Sequence, residues 1–230
     1  MANKEASISQ KAEEYLEAIY RLEKKRGHAK TMELARKLKV VPGSVTNTIE
    51  SLEKRGLVVH KPYKGAKLTE KGRKVALDVI RRHRLAERFL TDILNLDWSK
   101  AHDAACKLEH ALSPEILNPL EKALGHPQTC PHGNPIPTKN GKIVEETSKP
   151  LVDLNSGEGG IIVKIADEKT DILKILDSLG LMLGSYVQVE EKKTYTGHLK
   201  IHIEGKHHAM ERTLATHVYV KPVGGGKNRE

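Results

Sequence analysis

Six side chains with metal-binding chemistry fall at helical spacings in the middle of the chain. His83 and Glu87 stand four residues apart, and His102, Cys106, Glu109 and His110 follow in the next apolar-periodic stretch. At about 100° per residue these last four point along about 0°, 40°, −20° and 80°, a single arc of one helix. Imidazole, carboxylate and thiolate groups on facing stripes make a donor set for a first-row divalent ion. Burying so many ionisable groups without a cation would be costly, and a bound ion offsets that cost. Taken singly the signals are weak. His83 and Glu87 alone also read as a surface ion pair, and Cys106 alone as a small buried hydrophobe. The six together point to a metal centre. Enzymatic zinc is not indicated, because no residue stands out as a general base beside an open coordination position.

A second region suits a different chemistry. In a helix expected from about Ser44 to Arg55, Val45, Ile49 and Leu52 recur on one face and must point inward. The opposite face presents Ser44, Thr46, Asn47, Thr48 and Ser51, short and uncharged until Lys54 and Arg55. Such a face fits a DNA major groove, where Asn47 can pair with adenine and threonine methyls can touch thymine methyls. It holds no arginine, so the commonest guanine contact is missing. Direct readout is then modest, and affinity rests on phosphate contacts from Lys30, Arg36, Lys54, Lys61, Lys64 and Lys67. The alternative is a solvated surface helix.

The elements that must position these groups follow from periodicity and punctuation. Ser9 to Lys24 reads as a helix with Tyr15, Leu16, Ile19, Tyr20 and Leu22 on its apolar stripe, ended by Gly27. Thr31 is expected to cap a short helix from Met32 to Lys39, with Val40-Val41-Pro42-Gly43 as a tight connection. After Gly56, Leu57 to Lys61 and Ala66 to Thr69 form a hairpin around Pro62-Tyr63-Lys64-Gly65. Two helices, a short turn and a basic hairpin make a winged helix-turn-helix. A long helix over Glu70 to Leu96 carries His83 and Glu87, and a second over Trp98 to Leu112 carries the other four ligands. Ser113-Pro114-Glu115 opens a third, which Gly125 stops. Residues 126–150 hold five prolines and two glycines and read as a linker or surface loop. Cys130-Pro131-His132 offers a ligand pair there, but a loop turn is the simpler reading, and His126, Cys130 and His132 receive no role. The last eighty residues alternate as strands, with Leu199, Ile201 and Ile203 against Lys200, His202 and Glu204. They form a small β-rich domain with one short helix, Asp171 to Leu179.

Charge locates the partner. The net charge is +9, and residues 1–75 carry 18 Lys+Arg against 9 Asp+Glu, whereas residues 76–150 carry 10 against 10 and residues 151–230 carry 11 against 11. An excess confined to the segment with the reading helix is what phosphate binding requires. The polar start, Met1 to Gln10, lacks the apolar core of a signal peptide, and there is no apolar run of about eighteen residues. Two cysteines are too few for a disulfide framework. The expectation is a cytoplasmic protein.

His83-Arg84-Leu85-Ala86-Glu87-Arg88, followed by His102-Asp103 and then Ala105-Cys106 and Glu109-His110, resembles the signature of the diphtheria toxin repressor family of iron- and manganese-dependent metalloregulators. Gly133-Asn134-Pro135-Ile136-Pro137 is similar to a segment of the same family, and the resemblance runs from about Ala12 to Val223. It implies a mainly α chain in three parts. These are a winged-helix DNA-binding domain (1–74), a helical metal-binding and dimerisation domain (75–140) and, after a linker (141–154), an SH3-like domain (155–225). It further implies that Cys106, Glu109 and His110 belong to a primary, activating site and that His83, Glu87 and His102 form an ancillary site. Glu168 and Asp171 sit where the SH3-like domain would add ligands. Gly43, Ser44, Thr46, Asn47 and the wing residue Lys64 occupy positions that resemble the family's DNA contacts, and Thr31, Thr48, Ser51 and Lys54 complete the expected DNA-contact set.

One departure stands out. Iron regulators of the family supply a methionine from the first helix, and that position here looks like Glu14. Manganese-responsive relatives place a carboxylate there and another one turn later, where this chain has Glu17, but they replace the cysteine with glutamate. A retained thiolate favours Fe²⁺, Co²⁺, Ni²⁺ or Zn²⁺ over Mn²⁺, while the added carboxylate hardens the site. The function implied is an Fe²⁺-dependent repressor controlling metal-ion homeostasis, a homodimer on double-stranded operator DNA with no membrane partner and no small organic substrate. Three alternatives stay open: a manganese-responsive repressor of the same family, a metal-independent winged-helix regulator with structural zinc, and a metal-dependent nuclease.

Overall fold

A computed structural model describes residues 8–61, 64–193 and 197–223. Residues 1–7 of the polar start, and Pro62 and Tyr63 of the expected hairpin turn, lie outside the described residues. The chain divides into two compact units, Met1–Arg82 with Pro137–Ile143, and His83–Ile136 with Val144–Glu230.

In the first unit, α1 (Gln10–Arg26) starts where Ser9 accepts the Ala12 amide and ends at Gly27, whose φ of 78° closes it as a left-handed cap. Its stripe buries Tyr15, Leu16, Ile19 and Tyr20. Helix α2 (Thr31–Leu38) begins one residue earlier than expected. Lys30 rather than Thr31 takes the N-cap position, and its amide reaches Glu33 Oε2 at 3.4 Å. Helix α3 (Pro42–Lys54) also starts early, with Pro42 at the first position, where its missing N–H costs nothing. Gly43 therefore lies in the helix and not in a connecting turn. Val45, Ile49 and Leu52 are buried as their spacing requires. Strands β1 (Val58–Lys61) and β2 (Gly65–Leu68) pair from Val58↔Leu68 to Lys61↔Gly65. Ala29 bridges Ala66 as a third short rung. Gly65, at φ 88°, has no room for a side chain, since a Cβ there would meet Ala29 O at 2.5 Å. Glu23 of α1 ties the unit together, accepting the Leu68 amide at 3.1 Å and pairing with Arg73 at 2.8 Å.

The division falls inside α4 (Glu70–Arg88), after Arg82. This helix was expected to reach Leu96, but it gives way at Phe89–Ile93 to a π-helical turn. The Thr91 hydroxyl donates back to Glu87 O at 3.1 Å, and the Leu94 amide reaches Phe89 O five residues back. Helix α5 (Trp98–Leu108), capped by Asp97, likewise stops short of Leu112, and Glu109–Ala111 forms a 3₁₀ turn. The single-arc geometry for His102 to His110 therefore holds only as far as Cys106. After α6 (Pro114–Ala123), Leu85, Ala86, Ala105, Leu112, Leu117 and Ile136 close a small core.

Residues 126–150 are not simply a linker or surface loop. Cys130 and His132 have no solvent exposure, and Pro137–Ile143 belongs to the first unit. The loop's part in the second unit, at His132 to Asn134, lies directly on the C-terminal sheet. Gly133, at φ 78°, would bring a Cβ within 2.0 Å of Val163 O, and the Ile165 amide donates to His132 O. That sheet is antiparallel, in the order β3 (Lys149–Pro150), β8 (Val218–Val223), β4 (Gly159–Ile165), β5 (Tyr186–Lys193), β6 (His198–Ile203), β7 (Lys206–Glu211). Helices α7 (Thr170–Ser178) and α8 (Arg212–Ala215) complete the domain, with Ile162, Ile165, Leu173, Leu176, Val187, Leu199, Ile201 and Val218 among its core residues. Among the described residues no helix is long and apolar enough to cross a membrane.

Candidate metal centre and DNA-binding face

Five segments of the second unit converge on one cluster, buried except for the half-buried His102 and the exposed Cys106. Helix α4 brings His83 and Glu87 on one face, and α5 brings His102 and Cys106, in each case because residues four apart stack along a helix. The turn after α5 brings Glu109, the buried loop brings Cys130 and His132, and Glu168 arrives three residues after β4. Three overlapping sets each hold their ligand atoms within 4.8 Å of one another: His83, His102 and Cys106; His83, Glu87, His102 and Glu168; and Glu87, Cys130, His132 and Glu168.

Glu87 is the hub. Its Oε1 lies 3.1 Å from His83 Nε2, 3.5 Å from His102 Nδ1 and 3.3 Å from His132 Nδ1. Glu168 flanks two of these three rings, with Oε2 3.4 Å from His102 Nδ1 and Oε1 3.8 Å from His132 Nδ1. Cys130 Sγ is 3.9 Å from His132 Nδ1 and 3.9 Å from Glu168 Oε1. Asn134 fixes that carboxylate from behind. Its Nδ2 donates to Glu168 Oε1 at 2.7 Å and to Ile165 O at 2.9 Å.

The donors fit a cation. Glu87 Oε2 is buried and accepts no hydrogen bond among the described residues, although three imidazoles surround its sister oxygen. A buried carboxylate oxygen with no donor needs an explanation, and a positive ion supplies one. His83 has the geometry of a ligand held from outside. Its Nε2 faces the cluster while Nδ1 meets Glu109 Oε2 at 2.6 Å, the carboxylate–imidazole arrangement that orients a metal-bound ring.

The protons respond to this crowding. Burial opposes charge on His83, but contacts with Cys106, Glu109 and Glu87 outweigh it and hold its pKa well above the usual imidazole range. Burial opposes charge on His102 too, yet Cys106, Glu87 and Glu168 carry it to about 10. For Glu87 the burial cost is overcome by His102, His132 and His83, which hold it well below the ordinary carboxylate range. The two thiols diverge. Burial raises Cys106, but His102 and His83 reverse this and lower it, whereas burial, reinforced by Glu87 and Glu168, pushes Cys130 well up.

Not every expected ligand joins a three-donor set. Cys106 groups with His83 and His102, while Glu109 contacts His83 on one oxygen and His110 Nε2 at 3.2 Å on the other. Asp171 is exposed on the first turn of α7. Glu14 and Glu17 belong to α1 in the first unit, where Glu14 is exposed and accepts from Gln10 at 3.4 Å and Glu17 pairs with Arg21 at 2.7 Å. Cys130 and His132 are the residues that sequence reasoning passed over. The available signal was two ligand types two residues apart, which the surrounding prolines and glycines outweighed.

On the first unit, the outward side of α3 exposes Gly43, Thr46, Asn47, Ser51 and Lys54, with Ser44 and Thr48 half-buried. The Thr46 hydroxyl donates to Pro42 O at 3.3 Å and that of Thr48 to Ser44 O at 2.8 Å. Both hydroxyl protons are used within the helix, so the methyls are the more available recognition groups. Thr31 is half-buried at the start of α2, and Lys30, Arg36, Lys61, Lys64 and Lys67 are exposed.

Comparison with known proteins places these features together. Residues 7–66 match the family described as "Iron dependent repressor, N-terminal DNA binding domain", residues 69–138 match its "metal binding and dimerisation domain", and residues 149–222 match the FeoA domain. The diphtheria toxin repressor of Corynebacterium efficiens is 33% identical over 225 residues, covering 93% of this chain and 96% of that protein. The iron-dependent repressor IdeR of Mycobacterium tuberculosis is 40% identical over 125 residues, covering 54% of each chain. Among solved structures, a manganese-dependent transcriptional repressor in complex with manganese superimposes with a TM-score of 0.86 at 30% identity, covering 92% of this chain and 100% of that one.

Proposed function

We propose, given that this chain belongs to the diphtheria toxin repressor family of metal-dependent DNA-binding repressors rather than to any class of enzyme, that Fe²⁺ is its activating ion in the cytoplasm and that a homodimer then binds double-stranded operator DNA. The ion would be held by Glu87, His83, His102, Glu168, His132 and the two thiols, shared among overlapping sets, where its charge neutralises the buried carboxylates and displaces the thiol protons. The observation that carries this reading is the buried, donorless Glu87 Oε2 beside a sister oxygen that three imidazoles surround. Two thiols among the donors favour Fe²⁺ over Mn²⁺. DNA contacts are assigned to Thr31, Gly43, Ser44, Thr46, Asn47, Thr48, Ser51, Lys54 and Lys64. A symmetric dimer presents two copies of α3 to half-sites about 34 Å apart. Ile93, Leu94 and Ile116, each about half exposed in the single chain on the helical part of the second unit, suit a subunit interface.

The test is a titration of operator DNA with apo protein and with protein loaded anaerobically with Fe²⁺. Affinity must rise with the metal and fall back on chelation; equal affinity in both states overturns the reading. A manganese-responsive repressor is the second reading, favoured by the carboxylates Glu14 and Glu17 on α1 and by the manganese-bound structural relative. Half-activation at a lower free concentration of Mn²⁺ than of Fe²⁺ would establish it instead.

A further inference from the structure

The outer face of the C-terminal sheet gathers a second set of ligand types that none of the three buried sets includes. Along β6, Leu199, Ile201 and Ile203 point inward, so His198, Lys200 and His202 line the outer side. His202 stands directly opposite His207 of β7 in the strand register. Their rings face one another with centroids 5.1 Å apart and planes inclined by 38°. The register between β5 and β6 slips between Val189 and Glu191, so Glu190 is the extra residue of a bulge and turns its carboxylate toward this pair. Its Oε1 lies 2.8 Å from His207 Nδ1, and Lys200 Nζ is 3.4 Å from its Oε2. His207 is 58% exposed at its side chain and Glu190 26%, so the group is open to solvent.

We propose that His202, His207 and Glu190 form an exposed site for one borderline divalent ion of the Ni²⁺ or Zn²⁺ class. Directly opposed residues on one face of an antiparallel pair have Cβ atoms about 4.5–5.5 Å apart, close enough for two side chains to share one ion. Metal–nitrogen bonds of about 2.0–2.1 Å put two imidazole nitrogens on a tetrahedral ion about 3.3 Å apart. Ring centroids 5.1 Å apart on directly opposed residues bring the two imidazoles near that spacing. Two nitrogens and one carboxylate oxygen, with water completing the shell, select Ni²⁺, Zn²⁺ or Cu²⁺ well ahead of Mn²⁺. The site is weaker than the buried cluster, because its donors are less tightly gathered and Lys200 competes for Glu190.

The inference does not rest on the regulatory reading above, and the experiment separates the two. Full-length protein is dialysed against Ni²⁺ and, separately, Mn²⁺, and bound metal is counted for the natural chain and for a His202→Ala/His207→Ala variant. The variant is expected to bind one Ni²⁺ fewer per chain while its Mn²⁺ count and circular dichroism stay the same. Equal Ni²⁺ counts overturn the proposal. Glu190→Gln should weaken the outer Ni²⁺ by at least the about 10-fold that even an outer-shell contact is worth, and an unchanged affinity removes the carboxylate from the site. As an independent readout, paramagnetic Ni²⁺ should broaden the ring resonances of His202 and His207 together. Broadening that leaves both sharp overturns the proposal even if the double variant proves unstable.

Discussion

The DNA-binding face and the metal centre solve recognition in opposite ways. The outward side of α3 belongs to one continuous helix of thirteen residues, exposed and short-chained as far as Thr48, with Glu50, Glu53 and Lys54 charged toward its end. The metal cluster draws on four separated stretches of chain, is mostly buried, with Cys106 at its exposed edge, and is crowded with ionisable groups. A face that will be covered by a groove can stay hydrated until its partner arrives, so it costs the free protein little. A cluster that must strip water from an ion bears its desolvation cost in advance, and stays folded without the ion only by pairing His83, His102 and His132 with Glu87, Glu109 and Glu168. The same residue changes should therefore have different consequences in the two regions: stability and metal loading in the cluster, binding alone on the helix face.

The largest expected effect is from Glu87→Gln. Removing the charge leaves three imidazoles facing a neutral amide in a buried site, which should cost the apo protein about 3–5 kcal/mol and abolish tight metal loading. Chemical denaturation and equilibrium dialysis read the two effects. If the variant unfolds like the natural chain, the hub role of Glu87 is wrong.

Asn134→Ala comes next. The loss of the contact that fixes Glu168 should weaken metal affinity about 10–100-fold while leaving apo DNA affinity unchanged. On the other side of the comparison, Asn47→Ala should cost about 1–3 kcal/mol of operator affinity and relax specificity at one base pair, with metal loading intact. Lys64→Ala should lower affinity evenly across sequences and reduce the salt dependence by about one phosphate contact. Footprinting and binding across a salt series distinguish the two. If Asn47→Ala weakened all sequences equally, α3 would be acting on phosphates only.

The most diagnostic effect is in pH. His102 is raised from 6.5 to about 10 in the folded apo chain, so the stability it contributes is complete below pH 6.5 and is lost as pH climbs through about 10. Glu87 is depressed below 4.5, so its contribution is present above that value and is lost as pH falls through its lowered pKa. Metal binding runs the other way on the alkaline side, since each imidazole must give up its proton before it can ligate. The melting temperature of apo protein should fall from pH 6.5 toward 10, while the increment added by metal grows. An increment that stays flat would mean that these imidazoles do not coordinate.

Much of the first unit was legible because its signals are local. Val45, Ile49 and Leu52 sit on one helix, so their spacing alone assigns the buried side, and Gly27 ends α1 as its sequence position indicates. The errors there were shifts of one or two residues, such as Pro42 in place of Ser44 at the start of α3 and Lys30 in place of Thr31 as the cap of α2, where a side-chain contact from Glu33 settles the boundary. The cluster was legible in part for the same reason, since His83/Glu87 and His102/Cys106 are pairs within helices. What periodicity could not foresee was that Glu109 leaves the helical arc in a 3₁₀ turn. Nor could it foresee that Cys130 and His132, in a stretch that composition marks as loop, are pressed inward by the C-terminal sheet.

The sequence by itself determined which segment carries the positive charge, which helix face is polar and which residues can ligate a metal, because each is a property of neighbours along the chain. Only the tertiary structure decided which ligands meet. Glu87, Glu168, Cys130 and His132 come together because a glycine-tight loop lies on β4 and Asn134 holds the carboxylate beyond it. Such long-range convergence leaves no period in the sequence, since the spacing between its members is set by the intervening fold and not by the pitch of any helix or strand.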